Sequence, residues 1–324
     1  MLTIGDIVRV DDQGTFTPDV QITEFRDPQR NQRLVERYIF TSREQGHELG
    51  SVELLWTICE SFLPGSRPNR LLVIANYGHG KSHFAVTAAN YFGQPVDSPA
   101  YRAVLERLRH VIGNSFQMQR FEQFRSERPP YLIVLLRGDE STTSFSGKFI
   151  RALEEALDCH EETRLRRPPG WFNLAERFLE KMLPELQVKA ELFLREQYEL
   201  DLAALQQKVR NRDITALGPC RELSRHLYGA PLDFDEVSLR EVVEWVADEF
   251  TGQGKPFGGV LILFDEFSTF VDSYARGSTS GEAAPLQDLL SGVERRRGKV
   301  TFVAFAQLDP RNILEESSTL QTKA

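Results

Sequence analysis

The sequence predicts an α/β fold with a parallel sheet, and three observations carry that prediction. Four short apolar runs, at 71–75, 131–138, 258–267 and 299–306, have the length and β-branched content of strands. The third, VLILFDEF, is an unbroken apolar run that ends in carboxylates, the mark of a strand covered on both faces. Helical periodicity fills the intervals, so strands and helices alternate as they do around a parallel sheet.

Taken in order, the chain opens with short alternating runs, DIVRV and VQITEF, and polar turns up to Thr41. A helix follows, with Val52, Leu54, Leu55, Ile58 and Phe62 at helical spacing, and the loop LPGSRPNR ends it. After the first strand comes the helix-compatible HFAVTAANYF, then a helix over 101–111 and the second strand. A Ser/Thr-rich turn at 141–146 opens a helix through FIRALEEAL, and 171–250 reads as almost wholly helical. A stretch rich in Gly, Ser and Thr at 277–281 and the helix LQDLLSGVERRR precede the fourth strand. Four segments result: an entry segment of strand and helix at 1–68, half of a core at 69–160, a helical insertion at 161–256, and the second core half at 257–324.

Composition narrows the classes. A chain of 324 residues with 41% hydrophobic and 27% charged residues suits a soluble globular protein of one large or two ordinary domains. Its 47 acidic against 39 basic residues, net −8, leave only a local basic groove as a nucleic-acid surface. The clusters RLRRPP and KVRNR read as solvated faces. Cys59, Cys159 and Cys220 lack metal-ligand spacing and fit a reducing compartment. With no basic leader and no long apolar run, the expectation is a cytoplasmic protein without a membrane partner.

The chemistry sits at two strand ends. Leu71 to Phe84 runs strand, glycine loop, Lys-Ser, helix, which is what holding nucleoside triphosphate phosphates requires. Loop residues Asn76, Tyr77, Gly78, His79 and Gly80, with His83 on the first turn, are candidate phosphate-side residues. Lys81 would reach the β- and γ-phosphates and the Ser82 hydroxyl would ligate Mg²⁺. Ala75 stands where a P-loop usually has its first glycine, so that turn must avoid positive φ. Downstream, Asp265 would hold Mg²⁺ near Ser82 and Glu266 would polarise the attacking water. Gln307, ending the fourth strand, is a candidate to touch the γ-phosphate or that water, as in additional-strand P-loop ATPases, or else a turn former. Arg295, Arg296 and Arg297 read either as favourable cations at a helix C-terminus or as a source of an arginine finger. ATP and Mg²⁺ are the expected cofactors.

With YGHGKSHF, DEFSTFV and VERYIFTSRE in view, the chain resembles the ATP-binding proteins of the bacterial BREX and phage-growth-limitation defence systems. Tyr38 and Thr41 match the outer positions of that family's "YVVT"-like entry segment, while Ile39 and Phe40 depart from the inner pair. The resemblance covers about a third of the chain. It implies an AAA+-like core related to origin-recognition ATPases, with Lys81, Ser82, Asp265 and Glu266 in the phosphate, Mg²⁺ and hydrolysis roles. It also implies other defence-system proteins and DNA as partners, and an oligomer. Family members are far longer, and no fifth strand, helical lid or sensor arginine is legible, so the chain reads as a fragment or as one whose hydrolysis depends on partners. The expected activity is ATP hydrolysis coupled to assembly or DNA-associated change. The alternatives are a nucleotide-gated scaffold with little turnover, or a replication-loader or STAND-type signalling ATPase.

Overall fold

A computed structural model describes residues 20–43, 50–65, 68–76, 78, 80–139, 144–182, 184–234, 237–275 and 283–309. The DIVRV run, Tyr77, His79, residues 141–143 and 277–281, and everything after Asp309 lie outside them. The described residues form an α/β fold around one four-stranded parallel sheet: β1 (Arg70–Ile74), β2 (Leu132–Arg137), β3 (Val260–Asp265) and β4 (Val300–Ala306). The strand order is β1-β4-β3-β2, so β4 lies between β1 and β3.

Register explains why the predicted strands hold. Phe264 pairs with Leu136 and Ala304, and Leu72 with Ala304, so each central residue packs between neighbours on both sides. Every residue of β3 and β4 is buried, as unbroken apolar runs demand. One core lies on the face carrying Phe264, Phe302 and Ala304, where α6 (Phe145–Asp158), α11 (Leu239–Phe250) and α13 (Ala283–Arg295) pack. The second lies on the face of Leu263, Val303 and Phe305, under α2 (Ser51–Ser61), α3 (Lys81–Gly93), α4 (Pro99–Ile112) and α5 (Phe116–Ser126). The edge strand β1 differs: Leu72 and Ile74 are half exposed on the first of these faces.

The helices between β2 and β3 are α6, α7 (Pro169–Glu180), α8 (Pro184–Tyr198), α9 (Leu202–Arg210), α10 (Leu217–Tyr228) and α11. Trp171, Leu194, Leu205 and Leu223 join the core that includes Val134 and Ile262, so the predicted insertion continues the sheet's own core. Its basic clusters are ion paired: Arg166 with Glu249, Arg167 with Asp158, Arg210 with Glu176 and Lys208 with Asp213.

Two expectations need correction, and one helix had no counterpart among them. VQITEF forms a 3-10 helix, Ile22–Arg26, leading into α1 (Pro28–Arg37), and no strand occurs in the described part of the entry segment. Local capping decides this: the Asp27 carboxylate accepts from the Gln29 and Arg30 N–H groups, and Pro28 takes the first helical position. The third strand ends at Asp265, because Glu266 turns left-handed with φ 54° and Phe267 opens α12 (Phe267–Ala275). Helix α5 was not legible as an element, although Ser115 caps it and Met118, Phe121 and Phe124 bury its inner face.

A buried and a part-buried polar contact tie the entry segment to α3. The Asn31 and Asn90 side-chain amides donate to each other at 2.8 and 2.5 Å. His83 Nε2 lies 2.6 Å from the Leu34 carbonyl. Residues Tyr38 to Thr41 leave α1 beside the β1–α3 loop, and Thr41 and Ser51 lock there by reciprocal backbone-to-hydroxyl bonds of 2.9 and 3.1 Å.

Candidate functional site

The loop after β1 is shaped by glycine. Gly78 (φ 80°) and Gly80 (φ 73°) are both left-handed, a conformation that a β-carbon penalises. Ala75 keeps a negative φ and its N–H donates to Ala306 O at 3.1 Å, so the glycine missing from the usual motif is not needed there. Gly80 is the N-cap of α3 and offers no side chain to the first-turn N–H groups, so this positive helix end suits an anion. Lys81 Nζ donates to Ala75 O at 2.7 Å and Asn76 O at 2.9 Å, bridging the loop it must serve.

Strand β3 delivers the acidic side. Asp265, 4% exposed, accepts from the Glu266 N–H at 3.0 Å, and the Ser82 hydroxyl lies near enough to favour its ionised form. Burial raises its pKa, and the bonds from Ser82 and Glu266 and the charges of Lys81 and Arg137 oppose that rise. Glu266 is raised too, by burial and by the adjacent Asp265 charge, while Thr269 and Lys81 pull it down. Burial lowers Lys81, which the two carboxylates oppose. Three groups are thus partly desolvated together, a pattern enriched at functional sites.

Glu266 is held by Gln307, a candidate from the sequence, and by Thr269, which the sequence did not single out. Its Oε2 accepts from Gln307 Nε2 at 3.2 Å and from Thr269 Oγ1 at 3.3 Å. Ser268 Oγ accepts from the Gln307 and Leu308 N–H groups at 2.7 and 3.3 Å. Gly138, ending β2, allows the left-handed turn: a β-carbon there would stand 2.0 Å from the Glu266 carbonyl oxygen. Ser268 and Thr269 stand two and three residues after Glu266, a nearness that does not by itself separate them from helix-capping hydroxyls. Gly138 carried no signal.

A cleft of about 520 Å³ opens beside the loop, lined by Tyr38, Ile39, Ser51, Gly78, Lys81 and His83 among others. The His83 ring lies edge-on to Tyr38, 4.9 Å between centroids, and burial lowers its pKa, so the imidazole is neutral at pH 7. Its nitrogen is engaged with the entry segment rather than the loop. The three arginines before β4 are paired within the chain: Arg295 and Arg296 with Glu244, Arg296 also with Asp248, and Arg297 with Glu294.

The residues present fit Mg²⁺. Ser82 and Asp265 supply a hydroxyl and a buried carboxylate in contact, hard oxygen donors of the kind this ion takes alongside water and phosphate oxygens. No group of three or more His, Cys, Asp or Glu among the described residues forms a self-sufficient metal cage. Among the same residues, no helix is long and apolar enough to cross a membrane. No protein-family model, curated protein or solved structure matches the chain.

A stability prediction follows from Asp265. Its native pKa lies above the ordinary carboxylate value of about 3.9, so its contribution is fully present below that pH and is lost as pH rises through the native value. As Asp265 ionises on the way towards neutral pH, the burial of its charge costs stability. Without nucleotide and Mg²⁺, Asp265→Asn is expected to melt a few degrees above wild type at pH 7, with the gap closing towards acid. Thermal denaturation across pH measures it, and a lower melting temperature at pH 7 refutes it.

Proposed function

We propose that the chain binds Mg-ATP across the β1–α3 loop and the end of β3, and hydrolyses it. The contact between Ser82 and Asp265 carries this reading, because it joins the Lys-Ser helix start to the acidic strand end. Strand order supports it as well. With β4 between β1 and β3, Gln307 emerges between Lys81 and the carboxylates, as in additional-strand, AAA+-like P-loop ATPases.

In this reading the loop N–H groups and Lys81 hold the phosphates, and the cleft under Tyr38 and Ile39 takes the nucleoside. Bound Mg²⁺ neutralises developing charge on the phosphates. Ser82 and Asp265 hold that ion, Glu266 accepts a proton from the attacking water, and Gln307 reads the terminal phosphate. Partner proteins, DNA and an oligomeric assembly enter through the resemblance to phage-defence ATPases, in which turnover would drive assembly or conformational change.

Titration calorimetry of Mg-ATP into wild type and Lys81→Ala tests the phosphate site. Loss of a charge-assisted contact is expected to weaken binding roughly 10- to 100-fold. Equal affinity overturns the reading. Lys81-dependent binding without any phosphate release favours a nucleotide-gated scaffold instead.

A further inference from the structure

The first turn of α12 contains two hydroxyls that the roles above leave unused. Thr269 Oγ1 donates to Glu266 Oε2, the same oxygen that receives Gln307 Nε2. Both donors therefore meet one carboxylate oxygen, and Oε1 carries neither. Ser268 is buried, and its Oγ collects the N–H groups of Gln307 and Leu308, fixing the backbone from which the Gln307 side chain departs. The two adjacent hydroxyls thus hold the end of β4 and the side chain that follows β3 in one frame.

Glu266 needs such a frame. It is one of three described non-glycine residues with positive φ, and strain of this kind persists only where the surroundings impose it. Its backbone is imposed by the Thr269 and Phe270 N–H groups, which donate to its carbonyl at 3.1 and 3.3 Å, and by the missing β-carbon at Gly138. Its side chain lies in the field of Lys81, which attracts it, and of Asp265 and Asp139, which repel it. Charge alone would draw the carboxylate to Lys81, so directional bonds must set its orientation.

We propose that Ser268 and Thr269 are positioning residues: Thr269 turns Glu266 so that Oε1 faces the attacking water, and Ser268 seats Gln307 against it. The proposal rests on the ATPase reading. A plain helix cap is the competing role, since Thr269 is the third residue of α12, and it predicts lost stability without a specific loss of turnover.

The test compares steady-state ATP hydrolysis, Mg-ATP affinity and melting temperature for wild type, Thr269→Ala, Thr269→Ser, Ser268→Ala, Gln307→Ala and the Ser268→Ala/Gln307→Ala pair. Thr269→Ala is expected to lower kcat roughly tenfold or more with KM nearly unchanged, because misplacing a reacting group by about 1 Å costs up to 10²-fold. Thr269→Ser, which restores the hydroxyl, should recover most of that loss. Ser268→Ala should add little to Gln307→Ala, as expected of residues acting as one unit. A kcat unchanged in Thr269→Ala while Glu266→Gln is inactive overturns this inference alone. So does a serine variant no better than alanine, or a kcat loss that only follows melting temperature and affinity. A wild type without Lys81-dependent turnover overturns the ATPase reading and this inference together.

Discussion

Glu266→Gln leaves Mg-ATP bound and slows phosphate release by roughly 10²- to 10⁴-fold, the range that a positioned general base contributes. The amide keeps the size of the carboxylate, and its oxygen still accepts from Gln307 and Thr269, so the frame around α12 survives. What disappears is the carboxylate to which the proposed mechanism gives the water's proton. Glu266 is also a like charge beside buried Asp265, so its neutralisation removes repulsion near the phosphate site and affinity should hold or rise. Single-turnover phosphate release, with affinity measured on the same preparation, gives both quantities. Turnover at the wild-type rate would remove Glu266 from the chemistry.

Arg125→Met is expected to unfold or severely destabilise the protein, by about 3–5 kcal/mol, because several carbonyls lose a charged donor at about 1–3 kcal/mol each. Arg125 is fully buried and no carboxylate among the described residues pairs with it. Its Nε donates to Tyr91 O at 2.7 Å, Nη2 to Gln94 O at 2.9 Å, and Nη1 to Arg128 O and Pro129 O at 3.1 Å each. The first bond has a local cause. Residue 95 is proline, without the N–H that would have served the Tyr91 carbonyl near the end of α3. Arg125 takes its place and ties that helix end to the approach to β2, where the Tyr131 N–H donates to Phe92 O at 3.0 Å. Methionine fills the volume but leaves the buried Tyr91 carbonyl and the part-buried carbonyls of Gln94, Arg128 and Pro129 without this donor. Denaturant unfolding reads the cost, and a variant within 1 kcal/mol of wild type would show that other donors serve them.

Strands β2, β3 and β4 were legible because each is an apolar run whose burial on both faces leaves little alternative, and β1 because its short apolar run stops at a glycine loop. The entry segment misled for the opposite reason. Val20, Ile22 and Phe25 make a short pattern, and the Asp27–Pro28 cap outweighs it with helix-start geometry. Helix α5 escaped notice because its inner face mixes Met118, Phe121 and Phe124 with the buried Arg125, a cation where an apolar residue is expected. At the site, residue types pointed to the glycine loop and the acidic strand end, since left-handed glycines before a Lys-Ser helix start have few substitutes there. The hydroxyls of Ser268 and Thr269 were invisible, because either could equally cap a helix or face solvent.

The sequence by itself determined the local chemistry at Gly80, Lys81, Ser82, Asp265 and Glu266, because a helix start after a glycine turn and a buried strand end are set by neighbouring residues. Only the tertiary structure decided how those pieces meet. Placing β4 between β1 and β3 depends on pairing strands far apart in the chain, whose apolar faces are interchangeable in pattern. That order brings Ser82 to Asp265, and Gln307 to a Glu266 already turned by Gly138 and held by Thr269. These contacts arise from packing, so no local signal announces them.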